Sequence, residues 1–138
     1  MDLIVDANII FSALIRHGVT AKLLFVDDLH LYAPEFLLDE VRKHHKYLSR
    51  KTHRSKEEFE NIYNILQRRI VFIPRDYIIS FLEKADKISP DPDDSIYFAA
   101  ALRMNISIWS NEKRLTKQEE IKIYTTHQLY ELYKSQIE

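Results

Sequence analysis

The sequence predicts an α/β fold, with a mainly parallel sheet and helices on both of its faces. Two observations carry the expectation. Short apolar runs with β-branched residues, at 2–5, 29–33, 70–73, 106–109 and 121–125, have the length and composition of strands. Helix-period stretches separate and follow them, near 8–15, 19–27, 34–47, 55–69, 76–88, 93–104 and 126–136. Such alternation builds a sheet whose strands run in parallel and whose two faces are both covered. At 138 residues the chain is expected to form a single domain, 1–138, long enough to bury a substantial core.

The first strand is Leu3-Ile4-Val5, closed by Asp6. Asn8 then reads as the N-cap of the first helix, since its short side chain can accept from the free amides of the opening turn. The second strand leads into Pro34, which suits the first position of a helix. Counting from Pro34, residues Leu37, Leu38 and Val41 share a face, and Asp39 points to solvent. Glu40 falls about 100° from the centre of that face, at its border. The third strand, Ile70 to Ile73, sits between two helical stretches.

An acidic turn follows, Pro90-Asp91-Pro92-Asp93-Asp94, running straight into an apolar helix. A helix starting near Pro92 places Asp94 on the face of Tyr97, Phe98, Ala101 and Leu102. Capping explains this arrangement: Asp91 as N-cap, Pro92 first in the helix, and Asp94 third, where an acid can return a bond to the cap residue. A carboxylate on a core-facing stripe also calls for a partner, a cap or a metal. The fourth strand then ends in Ser110-Asn111-Glu112, and a fifth strand and a last helix close the chain. In that helix Tyr130, Leu132, Tyr133 and Ile137 read as core, with a homodimer contact as the alternative.

Composition removes several functional classes. The net charge of −1 leaves no global basic field to draw the chain onto nucleic acid. Zero cysteines exclude disulfides and thiolate metal sites and fit a reducing cytoplasm. The chain opens directly into an apolar strand without the basic flank or length of a signal peptide, and no apolar run approaches a membrane span. A cytoplasmic protein without a membrane partner is expected. The single glycine, Gly18, excludes a glycine-rich phosphate loop.

In α/β sheets, ligands gather outside the carboxyl ends of the strands. Four acids fall at strand ends or helix starts: Asp6, Glu40, Asp94 and Glu112. Each alone is ordinary. Converging in one pocket, they would repel and raise one another's pKa values unless a cation neutralised them. A hard divalent ion with oxygen ligands, Mg²⁺ or Mn²⁺, answers that need, and such ions activate water and clamp phosphodiester oxygens.

The residues that carry these features are Ile4-Val5-Asp6-Ala7-Asn8-Ile9-Ile10, Ala33-Pro34-Glu35-Phe36-Leu37-Leu38-Asp39-Glu40-Val41, Asp91-Pro92-Asp93-Asp94 with its alanine-rich helix, and Ile108-Trp109-Ser110-Asn111-Glu112-Lys113. In this order and spacing the chain resembles PIN-domain ribonucleases over nearly its whole length, and the last two segments are similar to a PIN subfamily of prokaryotic proteins. The resemblance implies a three-layer α/β/α sandwich around a short, mainly parallel sheet. It implies Mg²⁺- or Mn²⁺-dependent cleavage of RNA, often as the toxin of a toxin–antitoxin pair, so that an antitoxin protein joins RNA as an expected partner. It makes Asp6, Glu40, Asp94 and Glu112 the metal-binding and catalytic acids, with Asn8 supporting the first and Ser110 preceding the last. Glu112 departs from the pattern, which usually has Asp there. The departure moves the carboxylate by about one C–C bond, ~1.5 Å, which leaves a module that binds RNA or a protein with little catalysis as the second expectation.

Between Arg42 and Lys56 there are seven basic residues, three histidines and no acid. Because this stretch adjoins Glu40, Arg42, Lys43 and Lys46 are the candidate RNA-backbone contacts, against the alternative of a solvated face. Adjacent His44 and His45 cannot both face one metal on a helix, which argues against zinc. Trp109 reads as core packing rather than as a base-stacking platform. A haloacid-dehalogenase-type phosphatase needs Asp-x-Asp after the first strand, and Asn8 stands where its general acid would be.

Overall fold

The computed structural model describes residues 1–16 and 18–137. Its centre is a five-stranded, all-parallel sheet in the order β3-β2-β1-β4-β5. The strands are β1 (Asp2–Val5), β2 (His30–Pro34), β3 (Ile70–Ile73), β4 (Ser107–Trp109) and β5 (Ile123–Tyr124). In β1, at the centre, Leu3, Ile4 and Val5 are all fully buried, as expected of a parallel strand covered on both faces.

The helices are α1 (Ala7–Ile15), α2 (Val19–Leu23), α3 (Phe36–Lys43), α4 (His45–Thr52), α5 (Lys56–Arg69), α6 (Arg75–Ile78), α7 (Leu82–Ile88), α8 (Ser95–Met104) and α9 (Thr126–Tyr133). Helix α8 packs on β1, β2 and β4 and beside α6 and α7. Ala99, Ala100 and Ala101 are fully buried there, their small side chains letting the helix lie close to the sheet. Helices α1, α2, α3, α4 and α9 pack among themselves to form the second layer. The expected α/β fold with helices on both faces is thus the one observed, and the sheet is parallel throughout.

Several boundaries differ from expectation for identifiable reasons. Pro34 ends β2 rather than opening a helix, and the rest of the stretch 34–47 is two helices, from Phe36 and parted at His44 (φ −98°, ψ 11°). His44 packs edge-on against Phe11 of α1 and His45 against Phe59 of α5, with centroids 5.3 and 4.5 Å apart. Two successive rings anchored on different helices turn the backbone between them. Helix α2 stops at Leu23 rather than residue 27, and Arg69 at the end of α5 donates to the freed carbonyls of Leu24, Val26 and Leu29. The stretch 76–88 is interrupted by a 3₁₀ turn, Ile79–Phe81, where Arg103 donates to the Tyr77 carbonyl. The last helix likewise tightens into a 3₁₀ turn at Lys134–Gln136.

Two capping assignments are corrected. Asp6, not Asn8, caps α1: its Oδ1 accepts from the Ile9 amide at 3.1 Å. Asp91 does cap its turn, accepting from Asp93 N at 2.9 Å, but Pro92–Asp94 form a separate 3₁₀ turn. Asp94 is left at the junction with α8 and makes no side-chain capping bond. The capping-box explanation of Asp94 therefore fails. Trp109 is fully buried, with its indole N–H on Thr126 Oγ1 at 3.0 Å. Leu132 is exposed rather than core, whereas Tyr130, Tyr133 and Ile137 pack against the core.

Candidate active site

Because all five strands point the same way, their carboxyl ends share one edge, and the first and fourth acids meet there. Val5 pairs with Trp109, and the Asp6 amide donates to the Trp109 carbonyl at 3.3 Å. This register sets Asp6 beside Ser110, both buried, at 5% and 0% exposure. Burial raises the pKa of Asp6, and the negative charge of Glu112 adds to the rise. Hydrogen bonds from Ser110 and the Ile9 and Asn8 amides oppose it. Ser110 Oγ also accepts from the Glu112 amide at 3.1 Å. One hydroxyl thereby ties the first acid to the backbone of the last.

Glu112 reaches sideways. Its Oε1 accepts from Asn8 Nδ2 at 3.3 Å, and its Oε2 lies 3.3 Å from Arg114 Nε. Asn8, on the first turn of α1, thus touches both acids, Asp6 through its backbone amide and Glu112 through its side chain. The extra methylene of glutamate is taken up by this pair of contacts.

Asp94 enters from the opposite layer, at the head of α8. Burial pushes its carboxyl up to about 6, helped by the charges of Asp91, Asp6 and Glu112 and opposed by Arg114. Its Oδ2 is buried without a hydrogen-bond partner, 3.9 Å from Arg114 Nη2. That distance is close enough for charge and too long for a hydrogen bond. Ser95 Oγ, next in the chain, is also buried and unpartnered.

Glu40 comes from α3. Its side chain is 25% exposed and stands 3.8 Å from His44 on the same helix face. What links it to the other acids is Tyr97, one turn into α8. The Tyr97 hydroxyl is buried beside the Ala7 backbone, with no side chain hydrogen bonded to it. Its pKa is raised by burial and then by the negative charges of Asp6, Glu40 and Asp94. The phenol therefore sits amid three of the four expected acids. Sequence reasoning placed Tyr97 only on the apolar face of its helix; the missed signal was that a tyrosine among alanines carries a hydroxyl needing a partner.

Arg114 was also missed. It lies in the 3₁₀ turn Lys113–Lys117, after Glu112, with Nη1 2.8 Å from Asp91 Oδ2. Its guanidinium spans Asp91, Asp94 and Glu112. Only its short distance from Glu112 in sequence hinted at this.

The cationic arm divides. Arg42 donates to the Tyr63 hydroxyl at 3.3 Å and faces α5, two residues round the helix from Glu40. Lys43 and Lys46 are exposed.

The donor set of this site is all oxygen: carboxylates, the Ser95 and Tyr97 hydroxyls and no thiolate. Buried Asp94 Oδ2, without a hydrogen bond, suits a hard divalent cation and its hydration shell. Among the described residues, however, no three His, Cys, Asp or Glu side chains are gathered closely enough to enclose an ion. The chemistry fits the ion, while two of the four expected acids, Asp94 and Glu112, lie against Arg114. No helix among the described residues is long and apolar enough to cross a membrane.

Comparison with protein families finds that the PIN domain model matches residues 4–132. A comparison with curated proteins finds no match.

Proposed function

Since the chain belongs to the PIN-domain family, a nuclease-type family whose members act on RNA and typically use divalent metals, we propose that it hydrolyses RNA phosphodiester bonds with Mg²⁺ or Mn²⁺. The observation that carries this reading is the carboxyl edge itself. Burial raises the pKa of Asp6 and Asp94, the charge of Glu112 adds to the first and those of Asp91, Asp6 and Glu112 to the second, and Asp94 Oδ2 is left buried without a hydrogen bond.

In this reading Asp6, Glu40, Asp94 and Glu112 hold the ion, directly or through water. Bound there, the ion supplies Lewis-acid stabilisation of phosphate charge and an activated water. The chain does the positioning. Ser110 favours the ionised form of Asp6 against its burial, and the Asn8 side chain donates to Glu112. Tyr97 offers a phenolic O–H that stays protonated at neutral pH beside the acids. Lys43 and Lys46, exposed beyond Glu40, are the cations free to meet the RNA backbone, joined by Arg42 only if it leaves Tyr63.

The test is cleavage of single-stranded RNA with Mn²⁺, with chelator, and for Asp94→Asn. Expected are cleavage only with metal and its loss in the variant. Cleavage that survives chelation or the substitution would reject the assignment. The engagement of Glu112 by Asn8 and Arg114 favours a second reading, an RNA- or protein-binding module without turnover, and metal-independent RNA binding with no product would establish it. We further propose a toxin role with a protein antitoxin, which a small adjacent reading frame encoding a co-purifying DNA-binding protein would support.

A further inference from the structure

We propose that Arg114 is an exchangeable counter-ion: it holds the acid cluster together until a divalent cation takes its place there, and it then presents its guanidinium to a phosphate of the RNA backbone. This inference rests on the metal-dependent reading above.

The geometry is graded. The shortest contact, 2.8 Å, is to Asp91 Oδ2, while Glu112 Oε2 lies at 3.3 Å and Asp94 Oδ2 at 3.9 Å. Asp91 is outside the expected metal-binding set, and its other oxygen is already engaged in capping Asp93. The two acids that a cation would need are the ones Arg114 holds more loosely. The guanidinium can therefore yield Glu112 and Asp94 while staying anchored on Asp91.

An ordinary surface ion pair contributes little to stability. Arg114 differs because it answers carboxylates that repel one another, one of them with a buried oxygen that nothing else satisfies. The guanidinium is a positive charge that another cation can replace at the ionised acids. Arg114 is half exposed, so its released fork faces the mouth of the site. A fork of N–H donors matches a phosphate better than a point charge does.

The experiment compares wild type, Arg114→Met and Arg114→Lys, with Asp94→Asn as the control on the metal site. Without metal, Arg114→Met is expected to melt lower than wild type, while Arg114→Lys retains most of the stability. Removing a competing positive charge is expected to tighten Mn²⁺ binding by calorimetry about tenfold in Arg114→Met. At saturating Mn²⁺ the same variant is expected to raise KM for a short single-stranded RNA about tenfold, from one lost charged contact, with Arg114→Lys between it and wild type.

A residue that merely shaped the site would weaken Mn²⁺ binding when removed. Equal or weaker binding in Arg114→Met therefore overturns the counter-ion role. Tighter Mn²⁺ binding with unchanged KM overturns the phosphate contact. If wild type fails to bind Mn²⁺, or Asp94→Asn binds it equally well, the metal-dependent reading itself fails and this inference falls with it.

Discussion

The carboxyl edge of the sheet and the cationic helices α3–α5 answer their charges in opposite ways. On the helices, long side chains find partners within the chain. Arg42 lies on Tyr63, Lys51 lies over Tyr47, Arg54 donates to the Leu14 carbonyl, and Arg69 gathers three carbonyls from the segment before β2. At the edge, Asp91, Asp94 and Glu112 share one half-exposed guanidinium, and Asp94 Oδ2 is buried without a hydrogen bond; His45 Nε2 and Ser49 Oγ of α4 are buried without one too, but no such group of carboxylates shares a cation there. A charge satisfied from within is architecture, whereas a buried, unsatisfied carboxylate oxygen among acids that share one cation marks a place for something from outside. The densest run of like charges in the sequence is therefore less telling than four acids scattered along it.

The sharpest way to break this contrast is Asp94→Asn. Cleavage is expected to fall by about 10²-fold or more, the scale of a lost group that acts on the transition state, while the metal-free protein keeps or gains thermal stability. The pH dependence follows from the raised folded pKa. The stability tied to Asp94 is complete below its unfolded value of about 4 and is lost as pH rises through about 6. The melting-temperature advantage of the variant should thus grow between those limits and level off above them. A clear loss of stability at neutral pH, with activity retained, would return Asp94 to a structural role.

Glu112 sharpens the comparison at the next scale. Its carboxylate is held on one oxygen by Asn8 and on the other by Arg114, so its surroundings have adjusted to glutamate. Shortening the side chain by ~1.5 Å breaks both contacts, and misplacement of about 1 Å can cost 10²-fold. Glu112→Asp is therefore expected to lose activity about as badly as Glu112→Gln, measured as cleavage rate against Mn²⁺ concentration. Retained or increased activity in Glu112→Asp would show that the aspartate geometry is the better one.

The smallest effect belongs to the helices. Replacing Lys43 and Lys46 with Ala is expected to flatten the salt dependence of RNA binding by ~0.7 in log–log slope for each lost phosphate contact. Melting temperature should barely move, since both side chains are exposed. Unchanged affinity and slope would make that arm a solvated face. Arg42→Ala should instead lower the melting temperature, because its Tyr63 partner is buried at 7% exposure.

The strands were legible because runs such as Leu3-Ile4-Val5 are apolar without a break, as burial on both faces demands. Asp6 and Ser110 were legible because the carboxyl ends of parallel strands must share an edge. The break at His44 was not: no glycine or proline marks it, and its cause is two rings held by helices distant in sequence. Asp6 and Asn8 are equally good caps on paper, and only the turn geometry chooses between them. Arg69 and Arg114 look like any surface cation until their partners are known. Tyr97 was hidden by the apolar stripe around it.

The strand order has a temporal consequence. β1 lies between β2 and β4, and the site joins residues as far apart as Asn8 and Glu112, separated by 104 positions. Contacts so distant in sequence form late and slowly in folding. A chain emerging from a ribosome can pair β1 with β2 early, but β1's other edge stays open until β4 is made. Ser110, Glu112 and Arg114 arrive only then. The acid set is therefore incomplete for most of synthesis, and any chemistry proposed for it waits on β4 and the segment that follows.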